Sequence, residues 1–399
     1  MLSSEENQLI KIQTIFFFSG SLASIFLQIF LFKLAGFSQV ILFNLTALIF
    51  LLIFYLTSAW TLKLTSSKRL IQIGFLTFSF MWALFLFLRE QSVYYIIPLG
   101  ILMGMGQGHY WSGFNLSQYI LTSQEKRDHY FGKGSALIYF ATSLGPILGG
   151  FVIFFGNQFF HIPFIGYYVL FFIVLLLNFF NFLLAANLPT HSGIEFHLDQ
   201  IINHKRISNW KYVLSQQFLY GMYDHIFDTL SAILLFLILK SESQLGALNT
   251  FGAFLTAATS FIAGRLISKN KNLYKLGAIA TSLGILFFGL LQNWLGIALL
   301  VIFFRIGTPF LTIPTSSAIL NTIDEYKESW QKKYFLLLER DTVLGVARIL
   351  SYILLFMLFS YYGKEEVAKN FIVFISIIPL LIGFLLGKMA INKKTVIQL

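Results

Sequence analysis

The stretch NLPTHSGIEFHLDQIINHKRISNW, residues 187–210, is the longest polar connection in a chain that otherwise consists of apolar runs. It lies almost at the midpoint of the 399 residues and separates six apolar runs from six more. A helix that crosses a bilayer needs about 20 largely apolar residues, and the runs have about that length. The pattern predicts an all-α integral membrane protein with twelve transmembrane helices in two six-helix bundles.

These apolar runs set the expected domain boundaries. They occupy residues 12–32, 38–60, 70–88, 94–117, 134–156 and 164–186, and then 211–239, 244–267, 273–291, 294–319, 341–362 and 367–388. We expect bundles over residues 1–186 and 211–399, with 187–210 as a central cytoplasmic loop. The first run follows Glu5 and Glu6 and has no small-residue cleavage pattern after it, so we expect it to remain as a helix and not to be removed as a signal peptide.

The composition supports a membrane protein, with 57% hydrophobic and only 11% charged residues. Without any cysteine, the chain has no disulfides, thiolate nucleophiles or cysteine-ligated metals. His191, His197 and His204 of the central connection match no metal-ligand spacing, so we interpret it as a solvated linker and expect no metal and no cofactor. The frequent Phe, Ile, Asn, Lys and Tyr are typical of an AT-rich bacterial genome, which favours a bacterial cytoplasmic membrane.

Lysine and arginine concentrate in alternate connections between the runs. Because short cytoplasmic loops carry the basic excess, this alternation predicts that both termini are cytoplasmic. The net charge of +11 follows from that topology and from an anionic inner leaflet, so no nucleic-acid partner is needed. The expected partners are the lipid bilayer, a small-molecule substrate and protons, and the sequence does not indicate an oligomeric state.

Two acidic residues lie inside the seventh run, in LYGMYDHIFDTL at residues 219–230. Asp224 and Asp228 are four positions apart, so they share one helical face, whereas His225 points about 100° away. A lone carboxylate at this depth costs at least about 2.5 kcal/mol. Arg305, in the tenth run at a similar depth, is the cation that we expect to pair with Asp224.

Two interpretations of these charges remain open. One is a buried ion pair that only fixes helix packing, and the other is a central cavity whose charges bind substrate or protons. Arg348 is shallower and fits a snorkelling or gate-pairing arginine as well as a substrate ligand. His109 and His225 fit packing histidines as well as cavity groups. Further candidates are amides and an indole that hydrogen-bond without a charge: Gln107, Trp111 and Asn115, with Gln28 and Gln118.

The stretch GKGSALIYFATSLGPILGG, residues 132–150, resembles the antiporter motif in the fifth helix of the major facilitator superfamily. Gly132, Gly145, Pro146, Gly149 and Gly150 fit the motif, while Ala141 replaces a glycine. The resemblance implies a secondary transporter with alternating access, and it favours proton-coupled efflux of small, partly apolar compounds. It also implies a conformational hinge at Gly145, Pro146, Gly149 and Gly150, where small residues permit close helix approach.

Other signatures of this superfamily are eroded. GMGQGHYWSGF, residues 104–114, keeps Gln107 and Gly108 but has Gly104 at the position of an arginine that is associated with proton coupling in drug exporters. Leu64 and Ser268 replace the loop aspartate in the two halves. Proton-coupled uptake and a non-transporting receptor or scaffold therefore stay open as alternatives. An enzyme is disfavoured because no Walker loop, zinc spacing or nucleophile elbow is present.

One further connection, NTIDEYKESWQKKYFLLLE at residues 321–339, mixes aromatic residues with alternating charge. This pattern predicts an amphipathic segment that lies on the membrane surface.

Overall fold

The fold is helical throughout the part of the chain that our computed structural model describes, residues 2–121, 127–191, 209–270, 272–326 and 330–397. Helices satisfy all backbone hydrogen bonds within one segment, which hydrocarbon surroundings require. The helices are α1 Ser4–Leu64, α2 Ser67–Leu88, α3 Ile96–Leu121, α4 Arg127–Phe160, α5 Ile165–Ala185, α6 Trp210–Leu239, α7 Glu242–Lys269, α8 Leu273–Leu291, α9 Trp294–Leu299, α10 Arg305–Asp324, α11 Trp330–Tyr361, α12 Lys364–Ile375 and α13 Ile378–Ile397. The prediction of an all-α membrane protein is confirmed for these ranges.

Ten helical segments among the described residues are long and apolar enough to cross a membrane. Two of them far exceed one crossing: Ser4–Leu64 has 61 residues and Ser67–Gln118 has 52. A straight helix of 61 residues would be about 90 Å long, against a hydrocarbon core of about 30 Å. The first segment is broken at Gly36, where φ is 74° and ψ is −171°. The second is interrupted by a 3₁₀ turn, Arg89–Tyr95, and α3 then packs along α2.

The chain divides into two compact units. Unit 1 contains Met1–Phe196 and Leu239–Phe251, and unit 2 contains His197–Ile238 and Gly252–Leu399. The second division falls inside α7, between Phe251 and Gly252. The expected bundle boundaries at 186 and 211 stay a prediction, since residues 192–208 of the central connection, with His197 and His204, lie outside the described ranges.

Unit 1 is built around α1, which packs against α3, α4 and α5. Its core is aromatic: Phe30, Phe85 and Phe171 are completely buried. The Phe30 ring meets the Phe171 ring edge-on, with centroids 5.3 Å apart. Such aromatic pairs add packing energy beyond the area they bury, so the phenylalanines of this core serve packing.

Unit 2 packs α8 against α10, α12 and α13. Its α6 approaches α11 closely at Gly221, where a Cβ atom would lie 2.5 Å from the Leu344 carbonyl oxygen and 2.9 Å from the Ala347 Cβ. Only glycine permits this separation. The close approach brings the polar residues of α6 and α11 within reach of each other.

The expected surface segment at 321–339 is wrong for its last part. Phe335, Leu336 and Leu338 are 5% exposed or less, and they begin the interior part of α11. Glu339 accepts a hydrogen bond of 2.7 Å from the buried Trp210 indole nitrogen. Glu339 can be buried because the indole N–H donates a hydrogen bond to it. Its charge in the sequence therefore did not indicate an exposed position.

Candidate functional site

The acidic pair lies deep in α6, as the sequence predicts. Asp224 is 14 residues after Trp210, about 21 Å along the helix, and Asp228 is one turn farther. The Asp224 side chain is 13% exposed, whereas Asp228 as a residue is exposed. Two carboxylates on one helical face therefore have different surroundings.

Asp224 is bound by Arg348 of α11. The Arg348 Nε donates to both carboxylate oxygens, at 3.1 Å to Oδ1 and 3.2 Å to Oδ2, and Nη2 contacts Oδ2. The His225 backbone N–H donates a further hydrogen bond of 2.6 Å to Oδ1. Charge-assisted contacts of this kind fix both the carboxylate and the guanidinium.

The expected pairing of Asp224 with Arg305 is therefore wrong. Depth along the chain does place Arg305 and Asp224 at similar levels, but depth does not say which helices are neighbours. The contact at Gly221 brings α11 against α6, so Arg348 reaches Asp224. Arg305 is instead close enough to Asp228 for electrostatic attraction.

Asp228 differs from Asp224 in its hydrogen bonding. Within the described residues, no donor makes a hydrogen bond to the Asp228 carboxylate. The Ser231 hydroxyl donates to the Asp228 backbone oxygen, at 3.3 Å, and not to the carboxylate. The residue is exposed, and Arg305 attracts its charge.

His225 belongs to a buried hydrogen-bonded cluster. Its Nδ1 lies 2.8 Å from the hydroxyl of Tyr352, which is completely buried. The Thr229 hydroxyl is 2.6 Å from the same oxygen, and Tyr352 also donates to the His225 carbonyl at 3.2 Å. These contacts favour the packing interpretation of His225.

Most of the other polar candidates lie in α3 of unit 1, whereas Gln28 lies in α1 and hydrogen-bonds with Asn44. His109 is 7% exposed, and its Nδ1 is 2.9 Å from the Met105 carbonyl oxygen, which favours packing for this histidine too. Asn115 donates to the Tyr55 hydroxyl at 3.3 Å. Gln107 and Trp111 are half-buried. The α3 candidates share one helix but belong to a different unit from the α6 acids.

The glycines of α4 contact two helices on two sides. A Cβ at Gly145 would lie 1.9 Å from the Ser21 Oγ, and one at Gly149 would lie 2.6 Å from the Leu22 carbonyl oxygen of α1. A Cβ at Gly150 would lie 2.7 Å from the carbonyl oxygen of Glu242, at the start of α7.

Pro146 lies beside the same part of α7. Its carbonyl oxygen would be 2.3 Å from a Cβ at Gly246. The next residue, Ile147, donates its backbone N–H to the Thr250 hydroxyl at 3.1 Å. All of these contacts lie within unit 1, and they show that α4 tolerates no added side-chain volume along this stretch.

A cavity that sequence reasoning missed adjoins the Asp224–Arg348 pair in unit 2. It has a volume of about 330 Å³ and is lined by Gln217, Tyr220, Tyr223, Leu311, Thr312, Thr315, Ser316, Ile319, Arg340, Asp341, Leu344 and Ile382. One signal was present in the sequence: Gln217, Tyr220, Asp224 and Asp228 recur at spacings of three and four, which place them along one face of α6. Thr312, Thr315 and Ser316 of α10 also recur at spacings of three and four.

Comparison with known proteins connects this geometry to a family. The model of the Major Facilitator Superfamily matches residues 10–329. The Bacillus subtilis (strain 168) protein YqgE is 27% identical over 285 residues, covering 70% of this chain and 64% of YqgE. A Geobacillus stearothermophilus protein from the sodM 3′ region is 27% identical over 134 residues and is matched over 63% of its length. The chain thus spans less than two thirds of these relatives.

Solved structures share the fold. A D-xylose-proton symporter superposes with a TM-score of 0.73 at 14% identity, covering 96% of this chain and 97% of the symporter. The human organic anion transporter MFSD10 superposes with a TM-score of 0.68 at 14% identity, covering 96% and 100%. D-xylose is uncharged and an organic anion is charged, so the fold does not identify a substrate and the site residues have to indicate one.

Proposed function

Since this chain belongs to the major facilitator superfamily, we propose that it is a secondary active transporter that moves a small molecule across the bacterial cytoplasmic membrane by alternating access. The family match and the ten long apolar segments of the described residues support this proposal. The observation that carries it further is the exposed Asp228 carboxylate, one turn from an acid that is firmly paired.

The proposed topology has twelve crossings with both ends of this chain in the cytoplasm. The break at Gly36 and the 3₁₀ turn at Arg89–Tyr95 turn two of the ten long segments into four. The alternation of Lys and Arg in the connections supports cytoplasmic ends. A reporter fused after Leu399 that worked only on the outside would contradict this topology.

The proposed coupling ion is the proton, with Asp228 as the exchanging acid. A charged side chain that faced lipid at this depth would cost about 2.5–3.5 kcal/mol, so the exposed Asp228 side chain must face water. No hydrogen-bond donor fixes its carboxylate among the described residues, so a proton can reach it without first breaking a hydrogen bond. Asp224 is saturated by Arg348 and the His225 amide, which makes it a structural acid.

Proton exchange at Asp228 drives transport only if the acid has different surroundings in the two access states. Arg305 supplies an electrostatic partner whose influence can change between states, because the two residues lie on different helices, α6 and α10. We propose that protonation of Asp228 weakens this attraction and thereby shifts the population of states. Asp224, Arg348 and the hydrogen-bonded His225 hold α6 against α11 during the cycle.

The proposed direction is efflux. The crowded glycine face of α4 follows the antiporter pattern, and Gly145, Pro146, Gly149 and Gly150 would form the hinge at which α4 moves against α1 and the start of α7. Gln107, Trp111 and Asn115 of α3 would supply uncharged groups to the substrate path of unit 1.

The experiment uses purified protein in liposomes with an imposed pH gradient and an extract of small molecules from the expressing cells. Mass spectrometry identifies solutes whose movement requires both the protein and the gradient, and the sign of the gradient separates efflux from uptake. Asp228→Asn should abolish gradient-driven movement and keep downhill exchange. Glu365→Gln is the matched control, since Glu365 is an exposed carboxylate that, within the described part of the chain, pairs with Lys369 on its own helix and with no other residue.

Two outcomes would contradict the proposal. Full gradient-driven flux in Asp228→Asn would remove this acid from proton coupling. If wild-type protein moved no solute at all, the non-transporting receptor or scaffold would become the better interpretation.

A further inference from the structure

The cavity of unit 2 has the composition of a ligand site. Its volume of about 330 Å³ lies at the lower end of the range for small-molecule pockets, roughly 300–1,000 Å³. Four helices contribute to its walls: α6, α10, α11 and α13. Because the lining comes from four helices, polar groups surround the cavity on several sides and can contact one ligand together.

The α6 wall carries polar side chains that make no hydrogen bond within the described residues. Gln217 is 8% exposed, and its side-chain amide makes no hydrogen bond with any described residue. The hydroxyls of Tyr220 and Tyr223 likewise make none within the described ranges, and their rings meet edge-on at 5.4 Å. All three side chains line the cavity, so they can hydrogen-bond to a molecule that enters it.

The α10 wall offers hydrogen-bond acceptors. The Thr312 hydroxyl donates to the Thr308 carbonyl at 3.0 Å, and the Thr315 hydroxyl donates to the Leu311 carbonyl at 2.8 Å. A hydroxyl whose proton is used in this way keeps its oxygen lone pairs available. The ligand that fits this wall must therefore donate hydrogen bonds.

The two charged residues in the cavity lining have opposite signs and bind each other. Arg340 donates two hydrogen bonds to the Asp341 carboxylate, from Nε at 2.8 Å and from an Nη at 2.6 Å. Because Arg340 and Asp341 already neutralise each other, a charged ligand would have to compete for one of them. Transfer of an unpaired charge from water into the cavity costs free energy. Leu311, Leu344 and Ile382 add an apolar surface.

We propose that this cavity binds an uncharged, amphipathic small molecule with hydroxyl or amide groups along one side and an apolar surface on the other. The inference rests on the proposed function, because it makes that molecule the transported substrate. Tyr220 and Leu344 lie one turn before Asp224 and Arg348, so the bound molecule would adjoin the ion pair that holds α6 and α11 together.

The test uses the absence of native cysteine. Ser316→Cys places one thiol in the cavity wall, and Thr312→Cys places one elsewhere on the same wall. Detergent-purified protein is treated with three methanethiosulfonates of similar size that carry hydroxyethyl, sulfonatoethyl or trimethylammonioethyl groups. Asn272→Cys, an exposed position at the start of α8, corrects for the intrinsic reactivity of each reagent.

We expect both cavity thiols to react with the neutral reagent at least about tenfold faster, relative to Asn272→Cys, than with either charged reagent. Equal relative rates for neutral and charged reagents would overturn the neutral class of ligand. Failure of all three reagents at both cavity positions, with normal labelling of Asn272→Cys, would overturn the accessible cavity.

These outcomes are independent of transport. A preference for the neutral reagent in a protein without solute flux would contradict the proposed function and leave the chemistry of the cavity intact. Gradient-driven flux combined with equal labelling would contradict only the ligand class.

Discussion

The guanidinium of Arg348 holds the carboxylate of Asp224 across the contact between α6 and α11, with Nε 3.1 Å from Oδ1 and 3.2 Å from Oδ2. Asp228, one turn away on α6, has no such hydrogen bonds among the described residues. Two acids four positions apart therefore combine a fixed charge with an exposed one. We therefore assign a structural role to Asp224 and proton exchange to Asp228.

The first prediction concerns the fixed pair. Asp224→Asn and Arg348→Gln should each lower the free energy of unfolding, by about 1–3 kcal/mol, because each leaves one charge with its partner removed. The double variant should regain most of the loss. Melting curves of detergent-purified protein measure this, and losses that simply add in the double variant would show that the two residues are not coupled.

The second prediction separates Asp228 from that pair. Asp228→Asn should lower the melting temperature less than Asp224→Asn does, since among the described residues it removes no hydrogen bond to the carboxylate and only the attraction to Arg305. The same melting experiment provides the comparison with Asp224→Asn. A loss as large as that of Asp224→Asn would make Asp228 a structural acid.

The third prediction concerns the crowded face of α4. Gly149→Ala should destabilise unit 1 by about 1–3 kcal/mol and reduce flux, because its Cβ would lie 2.5 Å from the Phe26 ring and 2.6 Å from the Leu22 carbonyl oxygen. Gly134→Ala on the same helix is the control, since its nearest neighbour is Ile10 Cγ1 at 3.8 Å. If both variants had the same thermal stability and the same liposome flux, the close approach at Gly149 would not be required for stability or transport.

The fourth prediction concerns the break in α1. Gly36 has φ 74° and ψ −171°, a conformation that is essentially confined to glycine, so Gly36→Ala should cost about 1–3 kcal/mol even though nothing lies within 4 Å of its Cβ position. Gly20→Ala is the matched control, because it has the same open space inside a regular helical stretch and should be neutral or stabilising. Melting curves in which both variants behave alike would contradict a required break at Gly36.

The sequence by itself determined the membrane class, the all-α fold, the positions of most apolar helices and the presence of deep acids in α6. Each of these depends on properties that are read along the chain: hydropathy, run length and helical spacing. The gap between the runs at 12–32 and 38–60 predicts an interruption of the helix, and the structure has a break in α1 at Gly36. The resemblance of the α4 stretch to an antiporter motif indicated the family that the match over residues 10–329 then showed.

Only the tertiary structure decided which arginine pairs with Asp224 and where the polar wall of the cavity lies. Residue counting gives the depth of Asp224 and Arg305, but neighbours across helices depend on which surfaces pack, and here Gly221 admits α11 and with it Arg348. The cavity likewise joins Gln217, Thr315 and Leu344 from three helices that are far apart in the chain. Hydropathy is a property of single segments, whereas pairing and enclosure are properties of packed surfaces, and these exist only once the helices have come together.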